Sequence, residues 1–159
     1  MSRTALYIAD AVSEHIVELS QTRLVEMIAG YKTLKRANDE LRHLTGIHRF
    51  FENREALQEF QRLVTLPSQN ASRPKSREWG DFQTPSSLAM QVCHYLAETD
   101  VSPSIIIEPT FGTGNFVLAA LRAFPYTELI YGVEIQEAYL WHLKIALLIK
   151  ALLGGHIST

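Results

Sequence analysis

Two carboxylates and two glycines carry most of the chemical information in this sequence. The run Glu108-Pro109-Thr110-Phe111-Gly112-Thr113-Gly114-Asn115-Phe116 follows Ser104-Ile105-Ile106-Ile107 and precedes Val117-Leu118-Ala119-Ala120-Leu121-Arg122-Ala123-Phe124. The first flank is short, apolar and β-branched, and reads as a buried strand. The second reads as a helix. A strand that runs into a glycine-rich turn and then a helix N-terminus is the arrangement of a nucleotide-cofactor cradle. Glycines let the backbone turn tightly and let a ligand approach without meeting a Cβ atom. Downstream, Glu128-Leu129-Ile130-Tyr131-Gly132-Val133 reads as a second buried strand, closed by Glu134 twenty residues after Gly114. A carboxylate at that place can accept hydrogen bonds from both hydroxyls of a ribose. Ile135 beside it could pack on the face of an adenine.

The chemistry of the turn narrows the cofactor. A dinucleotide fingerprint needs a third glycine where this chain has Val117, and a phosphate-binding Walker loop needs Gly-Lys-Ser/Thr, which occurs nowhere. Pyrophosphate also favours a positive field, whereas this turn carries Glu108 and meets no Lys or Arg before Arg122. An acidic turn suits a cationic ligand. S-adenosylmethionine, with its sulfonium and amino groups, is such a ligand. For Glu108 the structural alternative is a carboxylate at the strand end that caps the next helix.

A third element lies upstream. Trp79-Gly80-Asp81-Phe82-Gln83-Thr84-Pro85 leads into a stretch with Leu88, Ala89, Val92, Tyr95 and Leu96 at helical spacing. Thr84 is expected as the N-cap, with Pro85 at the first helical position.

Phe82-Gln83-Thr84-Pro85, then Glu108 to Phe116, then Gly132-Val133-Glu134-Ile135 resemble, in this order, the three cofactor-binding motifs of the N6-adenine DNA methyltransferases of restriction-modification and related phage-defence systems. The resemblance covers about half of the chain, from Trp79 to Gly155. It implies that Phe82, Thr84 and Pro85 line the methionine end of S-adenosylmethionine. It implies that the Glu108-Pro109-Thr110 turn with Gly112, Gly114 and Phe116 holds the methionine and sulfonium region. Glu134 would bind the ribose. The fold it implies is α/β: an incomplete Rossmann-like S-adenosylmethionine-dependent methyltransferase fold, preceded by a small α-helical module. The implied partner is double-stranded DNA, gripped mainly by regions outside this chain.

One departure limits what the chain is expected to do. The family's catalytic run is Asp/Asn/Ser-Pro-Pro-Tyr/Phe/Trp, and here all six prolines are isolated. Only two strands are legible, and a two-stranded sheet cannot cover its own faces and edges. The expectation is the front part of a longer enzyme or one piece of a split one, inactive alone, with no catalytic residue to name. The rival expectation is a non-catalytic binding or assembly module whose sheet a partner chain completes, or which self-associates. It draws on the late helix, roughly Gln136 to Leu153, which is apolar on most faces and stops at Gly154-Gly155. An RNA or small-molecule methyltransferase would share the cofactor motifs.

Composition sets the remaining bounds. Of 159 residues 47% are hydrophobic, ample for a core, and the net charge is −2. Residues 1–80 hold 12 basic and 10 acidic side chains, while 81–159 hold 3 and 7. The concentrated basic segment is Arg73-Pro74-Lys75-Ser76-Arg77, a solvated linker or a phosphate contact. A single cysteine, Cys93, allows no internal disulfide and suits a cytoplasmic setting. No apolar run is long enough to cross a membrane, and no secretory leader is read. The six histidines show no metal-ligand spacing, so no metal is expected.

Three parts are expected. Residues 1–66 form an α-helical module, residues 67–78 a linker, and residues 79–159 the first part of the cofactor-binding domain. In the module Leu6, Ala9, Val12, Ile16 and Leu19, then Leu24, Met27, Ile28, Tyr31 and Leu34, recur at helical steps. Thr45-Gly46 is a stop signal, and Asn53 is the expected cap of a helix bearing Leu57, Phe60, Leu63 and Val64. The module is either a cap on the sheet or a docking or DNA-facing element.

Overall fold

A computed structural model describes residues 21–65 and 83–153. The stripe Leu6 to Leu19, the 67–78 linker, Trp79, Phe82 and the Gly154-Gly155 stop lie outside the described residues. By their contacts the described residues group into two units, 21–65 with 141–153, and 83–140.

The first unit holds α1 (Gln21–Ala29), α2 (Leu34–Thr45) and α3 (Arg54–Thr65). The apolar stripe from Leu24 to Leu34 does not stay on one helix. The chain leaves α1 after Ala29 and turns through Gly30, and Thr33 caps α2 by accepting the Arg36 N–H at 3.3 Å. Gly46 ends α2 in the left-handed region at φ 72°, its N–H on Arg42 O at 2.9 Å, which only a residue without a Cβ adopts cheaply. Asn53 caps α3 as expected, accepting the Ala56 N–H at 2.8 Å. Between α2 and α3, the Asn38 amide clamps Phe51 at both its N–H (2.8 Å) and its carbonyl (2.9 Å).

The long helix α6 (Glu137–Leu152) enters this unit from Trp141 onward. Trp141, Ile145, Leu148 and Leu152 join Leu24, Ile28, Leu41 and the three phenylalanines in one buried cluster. Phe50, Phe51, Phe60 and Trp141 form an aromatic centre with centroid separations from 5.0 to 6.3 Å, and Phe60 and Trp141 are nearly parallel at 16°. Such pairs add about 0.5–1.5 kcal/mol each beyond the area they bury. The cluster also encloses a charge: Lys144, 5% exposed, donates from Nζ to Phe50 O at 2.7 Å and lies 5.1 Å from the Trp141 ring.

The second unit holds α4 (Ser86–Glu98), β1 (Ile105–Glu108), α5 (Asn115–Ala123) and β2 (Leu129–Gly132), followed by the first turn of α6. The strands pair in parallel with Ile105 opposite Leu129 and Glu108 opposite Gly132. Small residues bring α4 and α5 together: Ala89 and Cys93 meet Ala119 and Ala120. Ile106 and Ile130 of the sheet pack against this cluster. Thr127, buried, ties the start of β2 to Pro103 O at 2.9 Å.

The strands are not fully buried, contrary to the reading of both as buried runs. Side chains alternate between the two faces of a sheet, and α4 and α5 cover one. The opposite face presents Ile105, Ile107, Leu129 and Tyr131, each between 42% and 69% exposed. Among the described residues no helix is long and apolar enough to cross a membrane.

Candidate functional site

Both strands of the second unit end at the same level, and their C-terminal ends carry the residues singled out from sequence. In open α/β sheets this is the end at which ligands bind. The ladder continues past β1: Val133 N–H donates to Glu108 O at 2.9 Å and Phe111 N–H donates to Val133 O at 3.1 Å. The turn after β1 is thereby held against the segment that carries Glu134. Gly132 makes room for it, since a Cβ there would stand 2.9 Å from the Phe111 ring.

The turn itself demands glycine. Gly112 has φ +51° and Gly114 has φ +87°, and a left-handed conformation costs a residue bearing a Cβ about 1–2 kcal/mol. Gly114 N–H closes the bend on Phe111 O at 2.7 Å, and Gly114 O accepts the first helical bond of α5 from Leu118 at 2.9 Å. Gly114, at the N-cap position, brings no side-chain bond to the start of α5. Its first-turn N–H groups and the positive end of the helix dipole therefore favour an anionic group at this point.

Glu134 is fixed by two backbone donors. Its Oε2 accepts the Gly112 N–H at 2.9 Å and its Oε1 accepts the Gln136 N–H at 2.8 Å. A carboxylate offers about four acceptor positions, so each oxygen keeps a lone pair for a further donor. Ile135 beside it is 94% exposed.

Two amide side chains join the upstream element to the turn. Gln83 Oε1 accepts the Thr113 N–H at 2.9 Å, and a Cβ on residue 112 would run into that same oxygen. Asn115 Nδ2 donates to Thr84 O at 2.8 Å and to Thr113 Oγ1 at 3.2 Å. Neither Gln83 nor Asn115 was singled out from sequence, although each stands inside a quoted motif. Their signal was an uncharged hydrogen-bonding side chain wedged between residues chosen for shape. The close approach at Gly112 is made here by the chain's own amide.

Thr84 is not the N-cap of α4. Pro85, extended at φ −58° and ψ 140°, takes that position without a side-chain bond, and its carbonyl accepts the Ala89 N–H at 3.1 Å. The helix starts one residue later than expected, with Pro85 at ψ 140° outside the helical region and the Thr84 carbonyl accepting from Asn115.

The remaining singled-out residues lie near by. Glu108, half-buried, accepts the Thr110 N–H of its own turn at 3.4 Å. Pro109 and Thr110 are exposed, and Phe116 packs against the α4–α5 cluster. Phe82 lies outside the described residues. Direct hydrogen bonds thus link Gln83, Gly112, Thr113 and Glu134, while Ile135 and Glu108 flank them. Beside the site an apolar groove of about 290 Å³ runs between α4, β1 and α5, with Cys93 and Glu108 on its wall. Burial first, and the charge of Glu108 second, raise the Cys93 thiol pKa, so the thiol is poorly nucleophilic at neutral pH. Among the described residues no group of three or more His, Cys, Asp or Glu could hold a metal ion.

Over 67 residues the chain is 49% identical to the Type II methyltransferase M.NspV of Nostoc sp.. That stretch is 42% of this chain and 14% of the length of that protein, so the chain spans a small part of its relative. No family model matches the chain, and no solved structure matches it. The similarity supports a methyltransferase-related function. The mixed architecture, with its two-stranded parallel sheet, is compatible with part of a methyltransferase fold.

Proposed function

We propose that this chain is the S-adenosylmethionine-binding portion of an adenine-N6 DNA methyltransferase of the restriction-modification type, acting on double-stranded DNA in the cytoplasm. The observation that carries the reading is the double anchorage of Glu134. Two backbone N–H groups hold the carboxylate still, and one lone pair on each oxygen is left for the vicinal hydroxyls of a ribose. The donor set around it fits the rest of the ligand. The start of α5 suits the carboxylate of an amino acid, Glu108 suits a cationic sulfur or ammonium group, and Ile135 offers an apolar surface for a purine. The glycine turn with Phe82, Thr84 and Pro85 takes the methionine end, as the motif resemblance implies.

S-adenosylmethionine, when bound, supplies a transferable methyl group on a positively charged sulfur. The chain's own residues bind and orient it. The target amine must meet that methyl in line, on an adenine turned out of the duplex. The residues that would present the adenine are not in this chain, which has no Pro-Pro-aromatic run. The 159-residue chain therefore binds the cofactor and does not methylate by itself. Equilibrium dialysis with labelled S-adenosylmethionine tests this. Retention displaced by S-adenosylhomocysteine and not by ATP or NADH is expected. Absence of retention by a folded sample overturns the reading.

A second reading has its own observation. The face with Ile105, Ile107, Leu129 and Tyr131 is apolar and exposed, and such a surface marks association. The chain would then be an assembly module completed by a partner chain or a second copy. Sedimentation equilibrium giving a clean monomer at high concentration excludes the second copy.

A further inference from the structure

We propose that Gln83 is a positioning residue of the site: its side-chain amide fixes the glycine turn from the upstream side, as Glu134 fixes it from the β2 side. The inference rests on the cofactor reading above and adds to it the element that shapes the amino-acid end of the pocket.

Three observations converge. First, the successive N–H groups of Gly112 and Thr113 are held by different elements. Gly112 N–H goes to Glu134 at 2.9 Å, and Thr113 N–H goes to Gln83 at 2.9 Å. A turn with two left-handed residues has soft neighbours, and two bonds from opposite sides define its orientation. Second, the Gln83 oxygen lies so close to Gly112 that a Cβ there would meet it. Glycine at 112 therefore serves the approach of this amide as well as the positive φ. Third, the contact is doubled by Asn115, whose amide reaches back to Thr84 O at 2.8 Å. Adjacent residues of one segment thus bond to the two ends of a three-residue stretch, Thr113 to Asn115. That stretch delivers the first N–H groups of α5, where the ligand's carboxylate docks in the cofactor reading. Gln83 does not touch the reacting atoms. It acts through the backbone that it orients.

The test compares Gln83→Met, which keeps length and removes the acceptor, with Gln83→Glu, which keeps an acceptor oxygen. Calorimetric titration uses S-adenosylhomocysteine and 5′-methylthioadenosine, which lacks the amino-acid end. A lost positioning bond is expected to weaken S-adenosylhomocysteine about tenfold in Gln83→Met, with methylthioadenosine within about twofold of the unaltered chain and Gln83→Glu restoring most of the loss. Equal weakening of both compounds, tighter binding or no change overturns the proposal: the amide is then a structural strut, a displaceable plug or a bystander. The Thr113 amide resonance gives a readout independent of any ligand. Faster exchange in Gln83→Met and recovery in Gln83→Glu are expected. If the unaltered chain binds neither compound, the cofactor reading fails, and the Thr113 amide alone decides whether Gln83 holds the turn.

Discussion

Replacing Glu134 by glutamine changes the least atoms and tests the most. In the structure both carboxylate oxygens are acceptors for backbone N–H groups, Gly112 at 2.9 Å and Gln136 at 2.8 Å. A glutamine keeps one acceptor, and its NH₂ must face the other N–H. The amide will turn so that the half-buried bond to Gly112 survives and the exposed bond to Gln136 is given up, because water can serve the exposed donor. A hydrogen bond to a charged group contributes about 1.5–3 kcal/mol when well formed. With one such bond lost at an exposed position and the other reduced to a neutral bond, the expected loss is about 1–2 kcal/mol. In urea this lowers the midpoint by roughly 0.5–1 M. Glu134→Ala removes both bonds, costs about 2–4 kcal/mol and speeds exchange of the Gly112 amide proton. An unchanged midpoint and an unchanged Gly112 amide in both variants would mean that this carboxylate does not anchor the turn.

Other perturbations separate further parts of the account. Gly112→Ala should cost about 1–2 kcal/mol from its positive φ and displace Gln83 from Thr113; in a Gln83→Ala background the φ cost should remain while the Thr113 amide no longer responds, as read by urea titration and amide spectra. Lys144→Ala should destabilise the first unit by about 2–4 kcal/mol, since it leaves the buried Phe50 carbonyl without its donor and removes a cation from the Trp141 face; thermal unfolding followed by tryptophan fluorescence in a Trp79→Phe background measures it. Burial first, and the charge of the neighbouring Glu40 carboxylate second, push the Tyr31 hydroxyl pKa from 10.0 up to about 12. The native state then holds the proton that the unfolded chain releases, so stability falls as pH rises from 10 to 12. Tyr31→Phe should flatten that alkaline decline in denaturant titrations.

The elements of the second unit were legible because each has a local cause. The β-branched run, the glycines at 112 and 114 and the apolar stretch after them specify strand, turn and helix by themselves, and the stop at Gly46 and the cap at Asn53 are equally local. Exposure of the strands was not legible, because it depends on which faces other elements cover. The destination of the last helix was not legible either. An apolar surface on most sides says that α6 is buried, but nothing in its own sequence says that Trp141, Ile145 and Leu148 meet Phe50, Phe51 and Phe60. The enclosure of Lys144 in that cluster follows from the same long-range packing. In the site, the carboxylates and glycines stood out as residue types with few other uses. Gln83 and Asn115 did not, because an amide side chain becomes informative only when its partner, some thirty residues away in sequence, is known.

The most direct test of the central claim is to titrate the isotopically labelled chain with S-adenosylmethionine and follow the backbone amides. The account requires saturable shifts concentrated at Gly112, Thr113, Gly114 and the residues around Glu134, with the first unit unmoved. No shifts at saturating ligand, or shifts confined to the groove beside Cys93, would contradict it.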